Sequence, residues 1–130
     1  EINTIPIYFT PGKTTVAPES TSNLEKIAEK LKTLPTATII RVAVHTDNLG
    51  DNTKNIDLSA ERAKNITNDL VKLGVSSEIL KWAGRGGNSP IAPNDTEENR
   101  AKNRRVEFKK LEKAEDVFDF SNSNSTPSNK

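Results

Sequence analysis

Apolar residues alternate with period two in some stretches of the chain and recur at helical spacing in others. Ile2 to Phe9 (INTIPIYF) is β-branched and aromatic and predicts a strand. Pro6, which lacks a ladder donor, confines that strand to an edge or a bulge, and Thr10-Pro11-Gly12 ends it. Between Pro18 and Pro35, residues Leu24, Ile27, Ala28, Leu31 and Leu34 fall on one helical stripe, with cap candidates at Ser20 to Ser22. Thr38 to His45 places Ile40, Val42 and Val44 on one face and Ile39, Arg41, Ala43 and His45 on the other, which predicts a central strand. Thr46 to Asp57 is dense in Asn, Asp and Gly and predicts a loop. A second amphipathic helix follows, with Leu58, Ala63, Ile66, Leu70 and Leu73 on its stripe, Asp57 or Ser59 as cap and Gly74 as stop. Ser76 to Leu80 suits one further helical turn. Trp82 to Arg85 is a short strand candidate, residues 86–103 form a polar, Pro-punctuated connection, and Arg104 to Leu111 resumes alternation as a last strand.

The element order is therefore β-α-β-α-β-β. Right-handed crossovers place successive helices on the same side of the sheet, so the expected fold is an α/β two-layer sandwich, a mixed sheet with its helices on one face. At 130 residues there is room for one core. Residues 1–111 are expected to form the domain. Residues 112–130 change to an acidic and then Ser/Asn-rich tail, expected to be flexible, in which Phe118 and Phe120 are the side chains able to dock.

Composition narrows the chemistry. No apolar run approaches the ~20 residues of a bilayer-spanning helix. A net charge of +1 offers no general field for a polyanion, so nucleic acid is not an expected partner. The absence of Cys removes thiol catalysis and every thiolate-held metal. A single His, His45, removes sites needing two imidazoles, and no nucleophile or second acid is placed to make it a general base. It reads as a strand-end residue that orders the following loop. Asp47, Asp51 and Asp57 lack the order of a calcium loop, and Gly84-Arg85-Gly86-Gly87 lacks the Lys-Ser/Thr of a phosphate loop. No metal, cofactor or enzymatic activity is expected.

The most informative segment is His45-Thr46-Asp47-Asn48-Leu49-Gly50, followed by Asn55-Ile56-Asp57-Leu58-Ser59-Ala60-Glu61-Arg62-Ala63. A strand ends in a carboxylate, a glycine-bearing loop follows, and a helix carries an Arg in its first turns. Asp47 and Arg62 can face one pocket as opposite charges, or they can form a structural salt bridge with each other.

Taken with Gly84-Arg85-Gly86, Pro90, Asn94 and Asn103-Arg104-Arg105-Val106-Glu107, these motifs in this order resemble the OmpA-like (OmpA/MotB) peptidoglycan-binding domain over about residues 5–111. The resemblance implies a periplasmic module of a Gram-negative envelope protein, associated with the outer membrane and attached through an anchor outside this chain. Such a module grips the diaminopimelate of the peptidoglycan stem peptide without cutting it. Carried over, Asp47 would hold the ligand's amino group and Arg62 its carboxylate, with Asn55, Thr46 and the backbone near Leu58 completing the cradle. The resemblance makes one of Arg104 and Arg105 a pocket-rim residue. Strand alternation lets only one of them face a given pocket; Arg105 is taken as the candidate, with the choice left open. The alternative is an envelope protein–protein assembly domain of the same fold. Oligomeric state is not legible in the sequence.

Overall fold

Residues 5, 7–10, 12–35 and 37–111 are described by the computed structural model of the chain. Its elements are α1 (Thr21–Lys32), β1 (Ile39–His45), α2 (Asn52–Lys72), β2 (Leu80–Gly86), α3 (Glu97–Asn103) and β3 (Arg105–Leu111), with 3-10 turns at Pro18–Ser20 and Ser77–Ile79. Among the described residues the sheet has the order β2-β1-β3. β1 runs parallel to β2 across the α2 crossover and antiparallel to β3, so the sheet is mixed. Leu24, Ile27 and Leu31 of α1 and Ala63, Ile66 and Leu70 of α2 meet Ile40, Val42 and Val44 of β1 in one core, which puts both helices on one face. Val106 and Phe108 of β3 join that core from the same side. This is the two-layer arrangement that the hydrophobic pattern implies.

Several boundaries differ from expectation. α2 begins at Asn52, capped by Asp51, whose Oδ1 accepts from Thr53 N at 2.9 Å; neither Asp57 nor Ser59 caps it. Asn52, Thr53 and Lys54 are exposed, so no apolar period marks this first turn. Asn55 consequently lies on the helix and not in a loop. β2 is longer than Trp82–Arg85 because Leu80 and Lys81 also pair with Ile40 and Arg41. The connection expected at 86–103 contains α3, whose Thr96 cap accepts from Asn99 N at 3.1 Å and whose first turn carries Glu97 and Glu98 at the positive end of the helix. Arg104 is the residue that ends α3, so β3 starts at Arg105. Of the expected first strand, Ile2 to Thr4 and Pro6 lie outside the described residues. Ile7 is buried in the core, and Phe9 makes an isolated antiparallel bridge to Val16. The tail 112–130 also lies outside the described residues.

Two glycines bring α2 onto β2. A Cβ on Gly84 would sit 2.2 Å from the Ala60 nitrogen, so only glycine lets the helix backbone approach this closely. Gly86 has φ +56, and its N–H donates to the buried Ser59 Oγ at 2.9 Å. A register shift between Val44 and His45 accompanies this contact, and Thr46 N donates to Gly86 O at 2.9 Å. The first turns of α2 are thereby held over the C-terminal ends of β1 and β2.

Candidate functional site

Where β1 ends, α2 begins and α3 passes into β3, the structure encloses a cavity of about 480 Å³. Thr46, Asp47, Asn55, Leu58, Arg62 and Arg105, the residues singled out from the sequence, all line it, together with Arg104, Tyr8 and Phe9.

The loop after β1 fixes the acid. Asp47 is 9% exposed. Its Oδ1 accepts from Leu49 N at 3.1 Å and its Oδ2 from Arg104 Nη1 at 2.7 Å. Thr46 Oγ1 donates to Asp47 O at 2.7 Å, and Asn55 Nδ2 donates to Leu49 O at 2.8 Å. Thr46 and Asn55 thus brace the loop that carries the carboxylate.

The base comes from α2, about three turns in from its start. Arg62 Nε donates to Lys13 O at 2.8 Å, and its guanidinium carbon lies 4.6 Å from the centre of the Phe9 ring. Ring and guanidinium attract through the quadrupole of the aromatic face. Asn65 Nδ2 donates to Thr14 O at 2.8 Å, so α2 also pins the segment that supports Arg62. Burial lowers the Arg62 pKa, as expected for a cation moved out of water.

Asp47 and Arg62 therefore do not pair with each other. Asp47 pairs with Arg104, which also donates through Nη2 to Glu97 on α3. The Glu97 hydrogen bond, with help from Asp47, raises the Arg104 pKa despite partial burial, and the same bond lowers the Glu97 pKa. The expectation that only one of Arg104 and Arg105 faces the pocket does not hold, because both line it. Strand alternation does not govern Arg104, because it caps α3. Arg105 reaches the cavity wall, but its guanidinium is held by Glu107 Oε2 at 2.7 Å, Asn103 O at 3.1 Å and Ser89 O at 2.9 Å. Both arginines line the cavity, and Arg104 is the one that meets Asp47.

His45 differs from expectation too. Among the described residues neither ring nitrogen is hydrogen-bonded, so the side chain does not order the loop by such a bond. Its Nε2 lies 3.2 Å from Glu107 Oε1 without the alignment of a hydrogen bond. Burial and then the Arg105 charge, against the attraction of Glu107, lower its pKa to about 4, leaving it neutral at pH 7.

Sequence reasoning named Arg104 only as the other candidate beside Arg105, and it missed Glu97 and the contact of Ser59 with Gly86. Thr96-Glu97-Glu98-Asn99 is a helix-start signal that would have placed Arg104 at a helix end. Asn103 is fully buried and also went unread. Its Oδ1 accepts from Ile91 N at 2.7 Å and Ala92 N at 3.0 Å, while its Nδ2 donates to Ala92 O and to Asn94 Oδ1, each at 2.9 Å. Among the described residues no cluster of three or more His, Cys, Asp or Glu is placed to hold a metal, and no helix is long and apolar enough to cross a membrane.

Against known proteins, a family model described as the OmpA family matches residues 8–104. The chain is 42% identical over 103 residues to the peptidoglycan-binding protein ArfA of Mycobacterium tuberculosis, covering 79% of this chain and 31% of that protein. It is 37% identical over 101 residues to outer membrane protein A of Bordetella avium, covering 78% of this chain and 52% of that protein. Its length thus corresponds to about a third to a half of these curated relatives. Among solved structures it resembles the C-terminal domain of Helicobacter pylori MotB, with a TM-score of 0.75 and 30% identity over 88% of this chain and 89% of that one. It also resembles the peptidoglycan-associated lipoprotein of Burkholderia pseudomallei, with a TM-score of 0.72 and 27% identity over 81% of this chain and 88% of that one.

Proposed function

The chain belongs to the OmpA family, and from that membership together with the cavity we propose that it binds cell-wall peptidoglycan without cleaving it, gripping the diaminopimelate of the stem peptide. The observation that carries this reading is that Asp47 and Arg62 line one cavity on separate elements, each fixed by the protein and neither neutralising the other. The free end of diaminopimelate is a zwitterion, and an acid and a base held apart satisfy both of its charges. Arg62 is anchored through Nε, which leaves its two terminal nitrogens for a carboxylate in the parallel geometry that a lysine cannot offer. The ligand's ammonium meets Asp47 Oδ2 in competition with Arg104. Glu97 gives Arg104 a second seat, so yielding Asp47 to the ligand does not strand the guanidinium.

Thr46, Asn55 and the backbone at Leu58 shape the cradle around these charges, and Arg104 takes the rim position considered for Arg105. The names of the mycobacterial and Burkholderia proteins support the polymer, and the name of the Bordetella protein supports an outer-membrane-associated setting.

Retention on purified peptidoglycan tests the proposal. Asp47→Asn or Arg62→Ala removes one charge-assisted contact of about 1.5 to 3 kcal/mol, so either folded variant loses tenfold or more in affinity. Equal retention of wild type and both variants would refute the cradle and favour the assembly-domain alternative.

A further inference from the structure

The Asp47 carboxylate already holds a cation of the chain's own. Its side chain is 12% exposed and both of its oxygens are engaged, Oδ1 by Leu49 N and Oδ2 by Arg104 Nη1 at 2.7 Å. An ammonium entering the cavity therefore meets a guanidinium on the oxygen it needs. Each cation is attracted to Asp47, but at such short range in a partly buried site the two also repel one another. Two cations on Oδ2 are less favourable than one. The other guanidinium groups on the cavity wall do not compete for that oxygen, because Arg62 is anchored on Lys13 O and Arg105 on Glu107, Asn103 and Ser89.

The surroundings of Arg104 provide for its release. Its backbone is fixed at the end of α3, where its N–H donates to Arg100 O at 3.2 Å, while its side chain is 40% exposed. Nη2 donates to Glu97 Oε2, seven residues earlier on the same helix. Both ends of that contact therefore belong to α3, and neither depends on the loop after β1. Arg100 Nε lies 3.5 Å from Glu97 Oε1 and attracts the same carboxylate. The planar fork of one guanidinium thus spans two carboxylates at once, which a lysine ammonium does not do in this way. Glu97 is 66% exposed and is not among the residues lining the cavity, so it can hold Arg104 without touching a ligand.

Resting on the reading of Asp47 as the ammonium seat, we propose that Arg104 is a built-in occupant of that seat, and that Glu97 sets ligand affinity by keeping the guanidinium when the ligand displaces it. Arg104 then satisfies a nearly buried carboxylate in the empty site and opposes binding. Glu97 is a positioning residue that acts through Arg104.

Calorimetric titration of the full chain with a diaminopimelate stem peptide tests this, with thermal unfolding to establish that each variant is folded. Arg104→Gln should bind the peptide about tenfold more tightly than wild type, because the ligand no longer breaks a charge-assisted contact. Arg104→Met, which keeps the apolar stem, should do the same and serves if the Gln variant does not fold. Glu97→Gln should bind about two- to fivefold more weakly, the worth of an exposed ion pair. Added to either Arg104 variant, Glu97→Gln should have no further effect. Equal or weaker binding by the folded Arg104 variants would overturn the proposal. So would a Glu97→Gln loss that persists without Arg104, since it would assign the effect to the Glu97 charge itself. A wild-type chain that does not bind the peptide overturns the cradle and this proposal with it, whereas wild-type binding that these substitutions leave unchanged overturns this proposal alone.

Discussion

A carboxylate that accepts both a backbone N–H and a guanidinium, as Asp47 does, is in place before any ligand arrives. Its neighbour His45 has the opposite character, a buried ring kept neutral. Because its pKa is about 4 in the folded chain against 6.5 when exposed, the unfolded chain binds the extra proton between those values. The contribution is fully present above about pH 6.5 and is lost as the pH falls toward 4. Urea midpoints should therefore decline across that window, by an amount on the order of 1 to 3 kcal/mol in free energy, and His45→Gln should flatten the decline. A wild-type profile that is level between pH 6.5 and 4 would contradict this. Asn103→Ala strips four bonds that tie the 91–94 segment to a buried side chain, so it should lower stability by about 1 to 3 kcal/mol, read from thermal unfolding. The resemblance to the OmpA-like domain marked Asp47, Arg62 and Asn55 for the cavity, whereas charge and spacing alone left a structural salt bridge between Asp47 and Arg62 open. Neither marked the partners of those residues. That Arg104 sits on Asp47, or that Ser59 and Asn103 act as backbone clamps, depends on contacts between residues distant in sequence.

At the scale of elements, α1, β1 and the latter part of α2 were legible because their apolar stripes face one core with the period of the element. The start of α2 was hidden because its first turn is solvated and only the Asp51 cap defines it. Replacing Asp51 with Ala should lower stability by about 1 kcal/mol and reduce protection of the Thr53 amide from hydrogen exchange. α3 was missed because, of its seven residues, only Ala101 is apolar. The Gly84-x-Gly86 segment is the seam where α2 rests on β2. Gly84→Ala inserts a methyl group against the Ala60 backbone and should destabilise the domain by about 1 to 3 kcal/mol. Thermal unfolding that matches wild type would mean that helix and strand are not in backbone contact.

For the whole molecule, two acids, Asp47 and Glu97, and two bases, Arg62 and Arg104, balance one another around the ends of the strands. The central claim concerns this site and its fit to a small zwitterion. Calorimetric titration with two stem peptides that differ at one residue isolates it, one carrying diaminopimelate and the other lysine, which keeps the amine and lacks the second carboxylate. The diaminopimelate peptide should bind tenfold or more tightly than the lysine peptide to the wild-type chain, and Arg62→Ala should erase the difference. Equal affinity of the wild-type chain for both peptides would show that Arg62 does not receive a ligand carboxylate.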